Sequence, residues 1–503
     1  MSPTTEELFR RFGPGYKWWA AATVMIGTLS MVVSATTITV AVPSIMDQFG
    51  MSQQQVQWLV TGFLASMTSS MLSLAWLVDA FGQRLTFVVG FFVFIVASLL
   101  GGFAPSAEAM TVARVIQGAA AGVVQPLAII VIFQVFPPRQ RGLGMGIYGM
   151  GVLLGPAIGP TVGGVLVDAW SWRGVFFLTL PFCGLGVLLG LLFLPARLAK
   201  RPSRAFDWNG LLLLVTALVS LLWSFANGDR LGWSSPLILG LLTLATTSSL
   251  AFVAWELRSR RPMLNLQVFL SRDMVLGAVL MFAHGASLYG TTYLIPLFMQ
   301  HVQGVSATGA GAVLVPAGLL MALTFPFGGY LGDHVPPRFP AVIALVCLAV
   351  SAYLLTLADA ETSFWWMAAW VALGRLGLGI LNPPLTIGAL RSLPDELLAH
   401  GSGALSFARQ LGATFGVNLL AVLLAHRIAF HTDALRVTQA DVGWGIHQQA
   451  QALGFHDTFL ILSLVLALGL VPAWLIGQTA KGNKRQQAVS GQQLRRDTRR
   501  RKK

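Results

Sequence analysis

"AWLVDAFGQR" at residues 75–84 returns, altered, as "GYLGDHVPPR" at 329–338, and that return decides the fold. Ala75 and Gly329, Leu77 and Leu331, Asp79 and Asp333, and Arg84 and Arg338 each stand 254 residues apart. Both copies follow a long apolar run, and both carry a carboxylate with an arginine five residues later. A second echo, "RVIQG" (114–118) with "RLGLG" (375–379), is offset by 261 residues and lies inside other apolar runs. The front of the chain is therefore repeated at its back.

The chain has 503 residues, 55% hydrophobic and 10% charged, with a mean hydropathy of +0.71. Soluble domains carry roughly 25% charged residues, so this chain cannot clothe itself in polar surface and reads as an integral membrane protein. Its apolar runs are mostly long enough for a helix to cross a hydrocarbon core of ~30 Å. Alternating ten-residue strands of the barrel type are absent from the sequence. The spans read as 18–45, 56–78, 85–103, 110–135, 143–167, 173–194, 208–227, 236–255, 274–299, 306–331, 340–357, 364–390, 401–425 and 457–477, fourteen in all. The first six match the last six, leaving spans seven and eight as an inserted hairpin.

The expected organisation is an all-α membrane protein with two pseudo-symmetric six-helix bundles. It divides into a cytoplasmic N-terminus (1–17), a first bundle (18–195), a linker with the inserted pair (196–256), a second bundle (273–477) and a basic disordered tail (478–503). Internal repeats of this kind mark secondary transporters, with a substrate site near the midplane between the halves.

Charge sets the orientation. With the N-terminus in the cytoplasm, 26 of the 33 Lys/Arg lie on the cytoplasmic side, whereas only Arg173, Arg230, Arg427 and Arg436 face the other. By the positive-inside rule both termini are cytoplasmic, in a cell or inner membrane. The net charge of +14 does not mark a nucleic-acid binder, because ten basic residues crowd the tail after residue 480 and most others flank spans. No cleavage site follows the first span, which reads as a retained helix rather than a signal peptide. Cys183 and Cys347 both fall inside spans, so no disulfide framework is indicated.

Three features carry candidate chemistry. The loop residues Asp79, Gly82 and Arg84, with Asp333 and Arg338 in the repeat, can clip neighbouring helix ends together. Arg114 lies about a turn inside a span, where an exposed charge costs at least ~2.5 kcal/mol, so it should face the interior and find acceptors; Gln117 lies one turn on. The run "GMGVLLGPAIGPTVGG" (149–164) places Gly151, Gly155, Gly159 and Gly163 on one helix face, with Gly164 beside them. A face without side chains lets another helix approach closely, and Pro156 and Pro160 bend the span.

Taken together, these features resemble the fourteen-helix drug:proton antiporters of the major facilitator superfamily, the EmrB/QacA type; "WRGVFF" (172–177) and "FDWNGLLLL" (206–214) add to the likeness. The resemblance implies an exporter of lipophilic or amphipathic small molecules working by proton antiport and alternating access. It makes the Asp79 loop a conformational latch, Arg114 a participant in proton transfer, and the Gly/Pro run a seal against uncoupled leak. In a Gram-negative cell it also implies a periplasmic adaptor and an outer-membrane channel as partners.

One departure matters. The family's first-span Asp is replaced by Ser34 in "VSATTITVAVPSI" (33–45), and Thr39 stands at its Asn. None of the nineteen acidic residues sits mid-span. The remaining candidates to carry a proton are Asp79, Asp168 at the end of the fifth span, and His284, the one mid-span histidine, whose imidazole can titrate near neutral pH.

Other classes fit less well. No GxxxxGK[ST] run exists for an ATP-driven pump, and no HExxH or nucleophile elbow supports an intramembrane enzyme. Neither a cofactor nor a metal site is read from the sequence. A facilitator or importer without proton coupling, on the same scaffold, remains the alternative.

Overall fold

Glycines set the breaks in an otherwise helical chain. Gly82 has φ 77° and ψ 165°, outside any helix, and kinks a run that is otherwise continuous from Leu74 to Gly102. Gly13, at φ 69°, opens a single turn of 3-10 helix at Gly13–Gly15, separating a short N-terminal helix from the first long one. Such φ values strain residues that carry a Cβ, and glycine adopts them freely.

The structure, a computed structural model, describes residues 4–51, 53–196, 205–438 and 444–477; the tail and linker expected at 478–503 and around 200 lie largely outside them. In chain order the helices are α1 (Thr5–Phe12), α2 (Tyr16–Phe49), α3 (Gln53–Ser70), α4 (Leu74–Gly102), α5 (Ala107–Val135), α6 (Arg141–Ala169), α7 (Gly174–Phe177), α8 (Leu180–Phe193), α9 (Trp208–Leu231) and α10 (Pro236–Arg258). They continue with α11 (Arg272–His301), α12 (Ala307–Ala312), α13 (Leu314–His334), α14 (Arg338–Leu355), α15 (Phe364–Leu390), α16 (Leu398–Thr438), α17 (Trp444–Leu468) and α18 (Leu470–Leu475).

Local chemistry starts several of them. Ser106, Asp207, Ser235 and Ser271 accept from backbone N–H groups in the first turns of α5, α9, α10 and α11, the ordinary use of such residues at helix entries. Thr4 and Glu7 form a reciprocal capping box on α1, within the segment 1–17 read from sequence simply as an extramembrane stretch.

Among the described residues, twelve stretches are long and apolar enough to cross a membrane. The sequence reading of fourteen differs from that number at two places. Trp58–Gly102 counts once in the twelve, although Gly82 breaks it, and the 29-residue α6 is not among them.

Packing repeats as the sequence does. In the front part α3 packs on α5, α2 on α6 and α4 on α5; in the rear part α13 packs on α15, α11 on α16 and α14 on α15. Helices α9 and α10 pack on each other, and α9 also touches α3 and α16.

Candidate functional site

α6 begins without a cap of its own. The residue before it is Gln140, whose side chain caps nothing, and "RQRGLG" offers no Ser, Thr, Asp or Asn there. The free N–H groups of a first helical turn need acceptors. Here they come from the other part of the chain: Asp333, at the end of α13, accepts from Gly142 N at 2.7 Å and from Leu143 N at 2.9 Å. Its carboxylate, 2% exposed, also meets Arg391 at 3.3 Å, and Arg391 in turn donates to Pro138 O at 2.7 Å. Burial pulls the Arg391 guanidinium below the ordinary arginine range, and the Asp333 charge opposes that shift.

Glycines bring the two helices close enough for this clasp. A Cβ on Gly142 would run into Gly329 O, one on Gly329 into Gly142 O, and one on Gly146 into Phe325 O. Front and rear parts also meet through Ser402, which donates to Pro126 O at 2.7 Å, and through Arg409, which reaches Gln125 Oε1 at 3.3 Å.

The other loop copy is built differently. Arg84 does not pair with Asp79; its Nε donates to Leu194 O at 2.8 Å, holding the end of α8. Asp79 is exposed and acts electrostatically on His400, near the start of α16. Arg338 likewise leaves its loop carboxylate, lying over the rings of Phe339 and Trp474 at 4.6 and 5.4 Å. The sequence spacing of Asp and Arg thus suggests pairs that tertiary packing replaces with partners from other helices.

Arg114 is 1% exposed and satisfied from several helices at once. Its Nε donates to Leu59 O at 3.1 Å, and one terminal nitrogen reaches Gln117 Oε1 at 3.0 Å and both Ser34 O and Ser34 Oγ at 3.4 Å. The guanidinium also lies 4.3 Å from the Phe63 ring centroid, and Gln117 passes the network on to Ser98 at 2.8 Å. No carboxylate is among these partners. The residue at the expected Asp position therefore does reach Arg114, as a hydroxyl.

His284 is buried, and neither ring nitrogen has a hydrogen-bond partner among the described residues. Asp168 is exposed near the end of α6 and joins neither group. Among sites that sequence reasoning missed, Asp457 gathers Arg427 Nε at 2.8 Å, His431 at 2.7 Å and His456 at 3.3 Å. Only the pairing of α16 with α17 assembles that group, so no spacing announces it.

The glycine stripe of α6 faces α2. A Cβ on Gly151 would meet Met25, one on Gly155 Val32, and one on Gly159 Thr36. One on Gly163 would come within 3.2 Å of Thr37, and one on Gly164 within 3.8 Å of Val40. The side chains of Pro156 and Pro160 lie outside the described residues. The rear part has a counterpart that was not foreseen, since Gly412 and Gly416 of α16 lie against Phe282 and Ala286 of α11. Gly155→Leu should force α6 off α2, at a cost of about 1–3 kcal/mol for an overfilled contact. The melting temperature of the purified protein should fall by several degrees, and a melting temperature equal to that of the wild type would contradict this packing role.

Comparison with known proteins agrees with the geometry. The family model described as Major Facilitator Superfamily matches residues 24–417. The tetracenomycin C resistance and export protein of Streptomyces glaucescens is 30% identical over 414 residues, 82% of this chain and 77% of that protein. The multidrug export protein EmrB of Haemophilus influenzae is 30% identical over 438 residues, 86% of each chain. Among solved structures, the human organic anion transporter MFSD10 shares the fold with a TM-score of 0.60 at 16% identity, over 91% of this chain and 99% of that one. Duplicated packing, a clasp between the two parts and a family match over most of the length lead to one conclusion: the chain belongs to the Major Facilitator Superfamily.

Proposed function

We propose that this protein is a secondary active exporter of lipophilic or amphipathic small molecules, of the multidrug efflux type, working by alternating access. Fourteen spans carry it. The Gly82 break divides Trp58–Gly102 into two crossings, α6 adds another, and α9 with α10 forms an inserted hairpin between two six-helix bundles. The Lys/Arg-rich end, with both termini, faces the cytoplasm of a cell or inner membrane.

The observation that carries this reading is the clasp of Asp333 on the first turn of α6. It sits at the Lys/Arg-rich end and joins the two bundles there, so this conformation is closed to the cytoplasm. Release opens a path from that side. A carboxylate at a helix N-terminus is stabilised by the helix dipole as well as by its hydrogen bonds. Such contacts are worth a few kcal/mol, within reach of what substrate binding can supply. Asp79 near α16 forms the weaker second latch. The relatives named for drug resistance and export support the direction of transport.

Proton antiport completes the reading, with Arg114, Gln117, Asp168 and His284 as the coupling candidates. Ser34 beside Arg114 favours a second reading, a facilitator without proton coupling, because the site lacks a carboxylate to protonate. Proteoliposomes separate the two. An imposed proton gradient should drive uptake of a lipophilic dye into inverted vesicles, and His284→Ala should reduce that uptake at least about tenfold. Dye that only equilibrates, whatever the gradient, would overturn proton antiport and leave the facilitator. Dye that does not cross at all would overturn the transport of such molecules.

A further inference from the structure

At the Lys/Arg-rich end, α1, the start of α2 and the end of α5 line a groove of about 690 Å³ that shares Pro138 with the clasp and no residue with the Arg114 network. Arg10, Lys17 and Arg141 line it together with apolar Phe9 and Phe136, and no carboxylate is among its lining residues. We propose that this groove binds the headgroup of an anionic phospholipid, with Arg10, Lys17 and Arg141 around the phosphate.

Several observations converge on a lipid. Arg141 Nε is buried without a hydrogen-bond partner among the described residues, a donor waiting for an acceptor. Arg141 also stacks over Phe133 at 4.8 Å, and Lys17 lies 5.5 and 5.9 Å from the Trp18 and Phe136 rings, so both cations are held in place. Trp18 and Trp19, 39% and 55% exposed, adjoin the groove in sequence. Exposed tryptophans at a span entry mark the headgroup level of a bilayer. α1 buries Leu8 and stacks Phe9 edge-on to Tyr16 at 4.8 Å, which holds Arg10 beside the membrane entry of α2.

Competing acids are already engaged or lie elsewhere. Glu7 closes the capping box with Thr4. Asp333 and Asp395 act on Arg141 from the clasp side, and the Asp333 oxygens already hold Gly142, Leu143 and Arg391. The inference rests on the chain's crossing a membrane and does not depend on cargo, coupling ion or direction.

The groove shares its wall with the clasp. Pro138 lines the groove and accepts from Arg391, and Arg141 immediately precedes Gly142, whose N–H Asp333 holds. A headgroup that fixes the segment from Pro138 to Arg141 therefore favours the clasped arrangement.

Native mass spectrometry of the purified full chain tests this with short-chain phosphatidylglycerol, phosphatidylcholine and sn-glycerol 3-phosphate as separate probes. One phosphatidylglycerol should be retained per chain in preference to phosphatidylcholine. The combined Arg10→Gln, Lys17→Gln and Arg141→Gln variant should weaken it on the order of a hundredfold, from about fivefold per basic side chain. Arg10→Lys with Arg141→Lys keeps the charges and should retain most of the binding. That variant also reports on the site if the neutral one does not fold. Arg258→Gln with Arg260→Gln, on another basic surface, should leave the lipid adduct unchanged. Equal retention of the two lipids, or retention by a folded neutral variant, would overturn the proposal. Glycerol phosphate binding as tightly as phosphatidylglycerol would assign the groove to a soluble anion and overturn the lipid.

Discussion

Asp333→Asn is expected to cut export about tenfold or more while leaving the protein folded and in the membrane. The carboxylate makes two hydrogen bonds to backbone N–H groups of the front part and one ion pair with Arg391 of its own, rear part. The hydrogen bonds dominate. Bonds to a charged acceptor contribute ~1.5–3 kcal/mol each, whereas a pair whose arginine side chain is 37% exposed contributes about 1 kcal/mol at most. Asparagine keeps one acceptor oxygen and loses the charge, so the clasped arrangement should lose about 2 kcal/mol, a factor of roughly thirty in its equilibrium. Arg391→Gln should have a smaller effect, and the double variant should resemble Asp333→Asn alone, because the two groups act on one contact. Dye efflux, with alkylation of a cysteine placed at residue 139 as the conformational readout, checks both statements. Wild-type efflux and unchanged alkylation in Asp333→Asn would remove the clasp from the mechanism.

Arg114 carries the second large effect. Its fork reaches acceptors on two other helices and on its own, and a lysine ammonium has neither the planar geometry nor the reach to hold Leu59 O, Ser34 and Gln117 together. Arg114→Lys should lower transport about thirtyfold, and Arg114→Leu should also lower thermal stability, because it leaves buried acceptors without donors. Ser34→Asp is expected to act in the opposite sense on stability. It sets a carboxylate beside a guanidinium that has only neutral partners, and should stabilise the fold by about 1–3 kcal/mol, seen as a higher Tm. It should also steepen the pH dependence of transport, by adding a group that gains and loses a proton. A Tm at or below that of the wild type would mean that the neutral network is already the better solution for this site.

Much of the fold could be read from the chain because membrane spans and duplication leave direct marks. The Asp79 and Asp333 loops and the Arg114 and Arg375 echoes stand at nearly constant offsets, and the packing of α3 on α5 returns as that of α13 on α15. The site was only half legible. Asp333 stood out, but its sequence neighbour Arg338 turns to Phe339 and Trp474, and its actual cation, Arg391, lies on the far side of two further helices. Nothing in local spacing encodes that choice. The missing cap of α6 was the available signal, since a helix that begins "RQRGLG" must find its acceptors elsewhere.

Arg114 was expected to be interior because a lone charge in hydrocarbon is costly. Its acceptors include backbone carbonyls, which carry no sequence signature. The α6 stripe announced a close helix contact but not which helix. Gly142 and Gly146 extend the pattern toward α13, and Gly151 to Gly163 turn it toward α2.

The central claim is that the two bundles close at one end as they open at the other. Electron–electron distance measurements on two labelled pairs, with Cys183 and Cys347 replaced by serine, test it most directly. One pair, Arg139→Cys with His334→Cys, spans α6 and α13 at the clasp; the other, Trp170→Cys with Val315→Cys, spans the same helices at the far end. All four positions are exposed. Substrate should lengthen the first distance and shorten the second in the same population of molecules. Two distances that stay fixed, or that lengthen together, while cargo crosses at its normal rate would contradict the account.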